Sequence, residues 1–247
     1  MKTINKVAEI TLLFWIMKII ATTLGETLGD YLAQTLNLGY AVSLGITSLF
    51  FIFVLFLQIL QQKFISPIYW LVIIATTTLG TEISDFLDRS LHLGYSAGSA
   101  ILLAGLLTTL GLWKAAFKSI YVYPLHGASK ELLYWTAILF SNSLGTAFGD
   151  FLSDIMGLSY LTAAIITATI ILFIMLLHYT TKINTVLLFW IAFVFTRPFG
   201  AAFGDFLTKA VSKGGLAIGT GTASIICLLL MITFVLISQQ KNSKVSQ

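Results

Sequence analysis

Four aspartates recur in this chain at one fixed distance from four tryptophans. Asp30, Asp85, Asp150 and Asp205 stand fifteen residues after Trp15, Trp70, Trp135 and Trp190. Each lies in an otherwise apolar stretch. A carboxylate inside a membrane span is rare and costly, so it is a functional hypothesis by default. Four that converge cannot all stay ionised without counter-charge; they share protons, pair with a base or bind a cation. Carboxylate oxygens suit hard or borderline ions such as Mg²⁺, Ca²⁺ or Mn²⁺. A proton or a divalent cation is therefore the ion such a site would take, as bound ion or cargo, and no other cofactor is expected. His92, His126 and His178 fall at turns or span ends and Cys227 is single, so the sequence lacks the Cys/His spacing of a zinc or copper site. The competing reading is that each Asp sits near the interface and merely stabilises its own turn.

Departures from the repeat add further ionisable groups. Glu26 lies one helical turn before Asp30, on the same face. Glu82 is one position off the equivalent place. Arg197 replaces Thr22, Thr77 and Asn142, and Lys18 stands where Ile73, Ile138 and Phe193 lie. A base inside a span pairs with an acid or reaches for the interface. Arg197 or Lys18 is therefore expected to pair with Glu26, Glu82 or an Asp, and a moving ion pair in a coupled cycle is the sharper reading. The candidate ion-binding set is Asp30, Asp85, Asp150, Asp205, Glu26, Glu82 and Arg197. Neutral oxygens of Thr22, Thr23, Thr77, Thr78, Asn142 and Ser143 lie about two turns before the aspartates.

The elements that position these residues come from a fourfold internal repeat. The segments WIMKIIATTLGETLGDYL, WLVIIATTTLGTEISDFL, WTAILFSNSLGTAFGDFL and WIAFVFTRPFGAAFGDFL align without a gap. Each carries two small residues four apart: Gly25 and Gly29, Gly80 and Ser84, Gly145 and Gly149, Gly200 and Gly204. Such faces let helix backbones approach closely in lipid. The four tryptophans are expected to anchor at the membrane interface. Each repeat reads as two apolar stretches joined by a short turn, over about 7–62, 63–117, 131–180 and 182–238, with a central linker at 114–130. Since about 20 residues cross the hydrocarbon, eight spans follow in one integral membrane domain, 1–247. The first helix of each repeat runs long, so it either tilts or breaks near its glycines, and Pro198 favours a break in the seventh.

Composition excludes most other classes. The 247 residues are 57% hydrophobic and only 10% charged, with mean hydropathy +0.94. Soluble domains carry about 25% charged residues, and none of this size could bury so much apolar surface. The fold class is all-α, a polytopic membrane bundle of four parallel two-helix repeats with pseudo-symmetry along the membrane normal. The net charge of +4 reflects loop lysines rather than a nucleic-acid surface; the lipid bilayer is the expected partner. Lys2 and Lys6 before the apolar run from Ile10 look like a signal peptide, but no A-x-A site follows, and equivalence to three internal segments makes this a mature span. Nine basic residues fall on one side: Lys2, Lys6, Lys63, Lys114, Lys118, Lys130, Lys182, Lys241 and Lys244. Only Arg89, Lys209 and Lys213 fall on the other. This bias places both termini in the cytoplasm.

Four tandem two-helix units, each with its Trp and G-x-x-x-G-D stretch, resemble the bacterial membrane-anchored protein family built from a "repeat of unknown function". Ser84 departs from the second Gly of that pattern. The resemblance spans nearly the whole chain and implies an inner-membrane, multi-pass protein with a link to efflux. Two functions remain open: an exporter of a cation or small solute that uses the intramembrane aspartates, or a non-transporting scaffold or accessory subunit of an efflux system. Homo-oligomers or an efflux-system partner fit either. No enzyme is expected, since nucleophile–base pairs, metalloprotease motifs and phosphate loops are missing.

Overall fold

The computed structural model describes residues 5–125 and 127–245. Lys2, His126 and Gln247 lie outside the described residues, so the charge and metal arguments that use the first two rest on sequence alone.

The chain forms eight long helices: α1 (Leu12–Asp30), α2 (Tyr40–Leu60), α3 (Ser66–Asp85), α4 (Gly94–Phe117), α5 (Ala128–Asp150), α6 (Tyr160–Thr180), α7 (Thr185–Thr208) and α8 (Thr220–Val245). Local signals set several boundaries. Thr11 accepts from Phe14 N at the start of α1, Ser159 from Thr162 N at α6, and Asn184 from Val186 N and Leu187 N at α7; each satisfies amides that have no partner within the helix. The turns between the helices of a repeat need a left-handed residue, supplied by Asn37 (φ 58°), His92 (φ 54°) and Gly157 (φ 67°) at equivalent places. Asn, His and Gly tolerate that conformation best. His92 is thereby explained as a turn residue.

Among the described residues, seven helices are long and apolar enough to cross a membrane. The exception, α5, is long enough at 23 residues but carries Lys130, Glu131, Asn142 and Asp150. It nevertheless takes the same place in the architecture as its three counterparts.

That architecture is a ring within a ring. α1, α3, α5 and α7 each pack against the next, and α7 packs back on α1. The second helix of each repeat covers the first helix of the following one: α2 on α3, α4 on α5, α6 on α7 and α8 on α1. The polarity pattern follows from this. The most apolar windows of α2, α4, α6 and α8 are only 22–28% buried, against 61–78% for α1, α3 and α7. The outer helices thus face the lipid with their leucines, isoleucines and phenylalanines.

Glycines set the spacing of the inner ring. A Cβ at Gly25 would overlap Thr77, one at Gly80 would meet Asn142 Cβ at 2.9 Å, one at Gly145 would meet Arg197 Cβ at 2.5 Å, and one at Gly200 would overlap Thr22. The tenth residue after each Trp therefore receives the seventh after the next Trp, cyclically. One turn further on, Gly29 faces Thr81, Gly149 faces Ala201 and Gly204 faces Glu26. The offset is the same at both levels, so neighbouring inner helices are parallel and all four aspartates share one end.

Two expectations require correction. The inner helices run unbroken through their glycines, α7 through Pro198 included. The extra length is taken up after the aspartates, where α1, α3 and α5 widen into π-helical turns at Tyr31–Thr35, Phe86–Ser90 and Phe151–Ile155. The fourth repeat lacks this turn and instead closes with a short 3₁₀ segment, Val211–Lys213. Second, Trp70, Trp135 and Trp190 are buried core residues, and Trp15 is half-buried against Phe14 and Phe189. They are not interface anchors, because the segment from Val7 and the linker residues Val122 and Leu125 close over that end of the ring. Rings pack from Trp70 through Tyr69 to Trp135 and Tyr134, and from Tyr134 through Trp113 to Trp190. The Tyr69 and Tyr134 hydroxyls meet at 2.8 Å.

Candidate functional site

The axis of the inner ring holds polar and charged side chains from all four helices. Nearest the aromatic end is Lys18. Its Nζ donates to Asn142 Oδ1 at 3.0 Å, on the helix diagonally opposite, and stands 4.1 Å from the centre of the Phe193 ring. Asn142 in turn donates to Thr76 Oγ1 at 3.2 Å. This corrects the expectation of an acid partner for Lys18: an amide oxygen and an aromatic face satisfy it.

One layer further toward the aspartates, Arg197 reaches across the ring from α7. It donates to Thr22 O at 3.3 Å and to Glu26 Oε2 at 2.7 Å on α1, and to the Thr81 hydroxyl on α3. Both Arg197 and Glu26 are buried, so each charge depends on the other for compensation. Arg197 fits because Gly145 leaves room for its stem, and Glu26 fits against Gly204 in the same way.

Glu82 occupies a different setting. It is 1% exposed, and both carboxylate oxygens lack a hydrogen-bond partner. Its Oε1 lies 3.4 Å from where a Cβ on Gly29 would stand, against α1.

The aspartates form the last layer, and two bases join them in pairs. Arg89 Nε lies 3.1 Å from Asp85 Oδ1 and its NH2 3.3 Å from Asp150 Oδ2. Lys209 Nζ lies 3.2 Å from Asp205 Oδ1 and 2.6 Å from Asp30 Oδ2. Each base stands four residues after an aspartate, on the same face, and bridges to the next helix of the ring. The arrangement therefore alternates: the second and fourth repeats supply bases, the first and third do not. Gln34 fills the position in the first repeat and donates to Asp30. Asp154 fills it in the third and accepts from Tyr95 OH at 2.6 Å. Burial works against the charge on Lys209, but Asp205 and Asp30 outweigh it and hold the ammonium above its ordinary range.

Sequence reasoning placed Arg89 and Lys209 among outward loop charges and missed these roles. The signal was present as i,i+4 spacing after Asp85 and Asp205. It also missed the opposite end, where Lys6 Nζ meets Glu131 Oε2 at 2.5 Å and Gln58 donates to Glu131 Oε1 at 3.1 Å, all buried.

One oxygen from each of Glu26, Asp30 and Asp205 lies within 4.8 Å of the others. Asp85 and Asp150 belong instead to the Arg89 clamp. Two apolar cavities are lined by other residues, one by Leu106, Trp190 and Phe195, the other by Leu32, Phe50 and Ile74.

An integral membrane protein of four cyclically packed two-helix repeats, with a buried acid–base column on its axis, is the class that fold and site define. Segments 13–64, 68–119, 133–184 and 188–241 match the family described as "Repeat of Unknown Function" (DUF347). The chain belongs to that family. No curated protein and no solved structure matches it.

Proposed function

We propose that this protein is a membrane transporter that carries a cation or small solute along the axis of the inner ring, and that the structure is a closed state. The observation that carries the reading is the set of buried polar and charged side chains on the four inner helices: Lys18 with Asn142, Arg197 with Glu26, and the four aspartates with Arg89 and Lys209. A helix bundle in lipid needs none of these groups to hold together, and each buried charge is costly there. The parallel inner helices converge on the axis as the repeats of a transporter do around a central site. The lysine-rich side faces the cytoplasm in this reading, and the transporter is an exporter.

A second reading has its own support. Each of the four repeated aspartates has a base beside it, as in a scaffold or an accessory subunit. The experiment that separates the two is a growth and uptake screen of a deletion strain against metals and toxic solutes, complemented with Asp30→Asn, Asp85→Asn, Asp150→Asn and Asp205→Asn. Transport predicts that Asp30→Asn, which leaves Lys209 its pairing with Asp205, keeps folded yield and loses uptake or resistance. If yield and activity fall in step, the scaffold reading stands. Full activity in all four variants removes the aspartates from any transport mechanism.

A further inference from the structure

We infer that residues 5–8, ahead of α1, form a gate at the end of the inner ring opposite the aspartates, latched by the buried pair of Lys6 and Glu131. The inference rests on the transport reading for what the gate admits; the latch itself stands on geometry.

The attachments of this strap are specific. Lys6 Nζ donates to Glu131 Oε2 at 2.5 Å and to Ile59 O at 3.0 Å. Gln58 Nε2 donates to Glu131 Oε1 at 3.1 Å and to Lys6 O at 3.0 Å, which closes the network. Asn5 O accepts from Phe64 N at 2.9 Å, and Asn5 Oδ1 accepts from Leu125 N at 2.8 Å. Lys6 N donates to Leu125 O at 3.1 Å. Phe64 lies in the loop before α3, Leu125 in the linker before α5, and Glu131 in the first turn of α5. The strap therefore leaves α1 and ties down the starts of α3 and of α5, the helix diagonally opposite in the ring. On α7, Trp190 Nε1 donates to Ile120 O of the linker at 3.4 Å, so strap and linker together reach all four inner helices.

Such a strap can be released. Of residues 5–8, only Val7 and Ala8 add apolar side chains to the core. The rest of its hold is hydrogen bonds, whose net contribution is small because water replaces them on release. Its polar attachments are to loops, helix ends or side chains, so no helix has to unwind for it to leave. The closed arrangement also leaves polar atoms unpaired. Trp135 Nε1 and Gln58 Oε1 are buried without a hydrogen-bond partner, an exception among buried polar groups. Water admitted at this end would satisfy both. The Lys6–Glu131 pair supplies register: a buried ion pair adds little net stability over apolar packing but holds one geometry. Trp70, Trp113, Trp135 and Trp190 share the buried cluster with Val7, so these are the rings that an open gate wets.

Those rings are the probe. Iodide, an aqueous quencher of tryptophan fluorescence, should reach little beyond the half-buried Trp15 in the purified full chain in detergent. In a Cys227→Ser background, Lys6→Cys with Glu131→Cys removes both charges together, so neither is stranded, and quenching should rise several-fold. A short bis-thiosulfonate that bridges the two cysteines should return quenching to the Cys227→Ser value, and a reductant should raise it again. Asn5→Ala removes the side-chain bond to the linker without touching either charge. It should also raise quenching, and it serves where the double cysteine variant fails to fold. Thermal unfolding of each sample separates opening from loss of fold, since a gate opens while the cooperative transition is kept. Quenching unchanged in both variants, or left raised by the bridge, overturns the inference. Entry of Mn²⁺, Ca²⁺ and protons into dye-loaded liposomes reads transport on the same preparations. The bridge should block entry and the reductant restore it; entry that the bridge does not slow overturns the gate and keeps transport. A quenching response with no entry of any of the three keeps the strap as a movable cover and removes transport of these ions.

Discussion

Gly200 in the last repeat lies against Thr22 in the first, and this contact closes the inner ring. A Cβ at Gly200 would overlap the Thr22 side chain, whose hydroxyl also donates to Thr196 O at 3.1 Å. The same fit of a glycine to the seventh residue of the next repeat holds the other three joints. Gly200→Leu should therefore force α1 and α7 apart. Overpacking of this kind costs about 1–3 kcal/mol, read as an apparent Tm several degrees lower in detergent. Gly45→Leu on α2 has nothing within 4 Å and should leave Tm unchanged.

The repeat and its helices are legible in the sequence because a gap-free register fixes height and rotational phase together. The partner of each face is not. The sequence gives no sign that α2 leaves its own repeat and covers α3, since both arrangements bury the same apolar stripe. Nor does it distinguish a tryptophan at the lipid headgroups from one covered by a distant segment: Trp135 packs against Tyr69 of the preceding repeat, and Trp190 Nε1 donates to Ile120 O of the linker at 3.4 Å. The candidate acids were visible as charges in apolar runs. Their counter-charges were hidden, because Arg89 and Lys209 lie at span ends, where a basic residue ordinarily reports only topology.

The Arg89 clamp should behave as a structural staple. Arg89→Gln leaves Asp85 and Asp150 buried without their base, a loss of about 3–5 kcal/mol where such a pair is fully enclosed and less at this half-exposed side chain. Folded yield and Tm should fall. Adding Asp85→Asn and Asp150→Asn to Arg89→Gln should restore much of the Tm, since neutral amides bond one another without counter-charge. A triple variant no more stable than Arg89→Gln would show that the clamp's value lies in shape rather than charge.

Topology follows from the shared end of the aspartates and the excess of lysines at the other. In a Cys227→Ser background, Lys63→Cys stands in the loop between α2 and α3, and Leu91→Cys in the turn before α4. An impermeant maleimide applied to whole cells should label Leu91→Cys and spare Lys63→Cys until the cells are broken. Labelling of both from outside would contradict a membrane-crossing α3; labelling of Lys63→Cys alone would invert the orientation.

Arg197 and Glu26 test whether the column is an energetic necessity or a functional addition. Arg197→Gln removes the base from Glu26, which is 4% exposed, and strands a charge on the axis. Breaking a buried pair from one side costs about 3–5 kcal/mol, enough to reduce folded yield sharply. The second repeat shows a neutral solution at the same two positions, with Thr77 and Thr81 bonded to backbone carbonyls. The double variant Arg197→Thr with Glu26→Thr places the same residue type at those two repeat positions, one on α7 and one on α1. It removes the charge pair together, so most of the stability should return, short of the small cavity left by two shorter side chains. Uptake, measured on the same preparation, should stay lost, because the column is interrupted at its middle layer. A double variant that regains both Tm and uptake would show that the pair serves the fold alone.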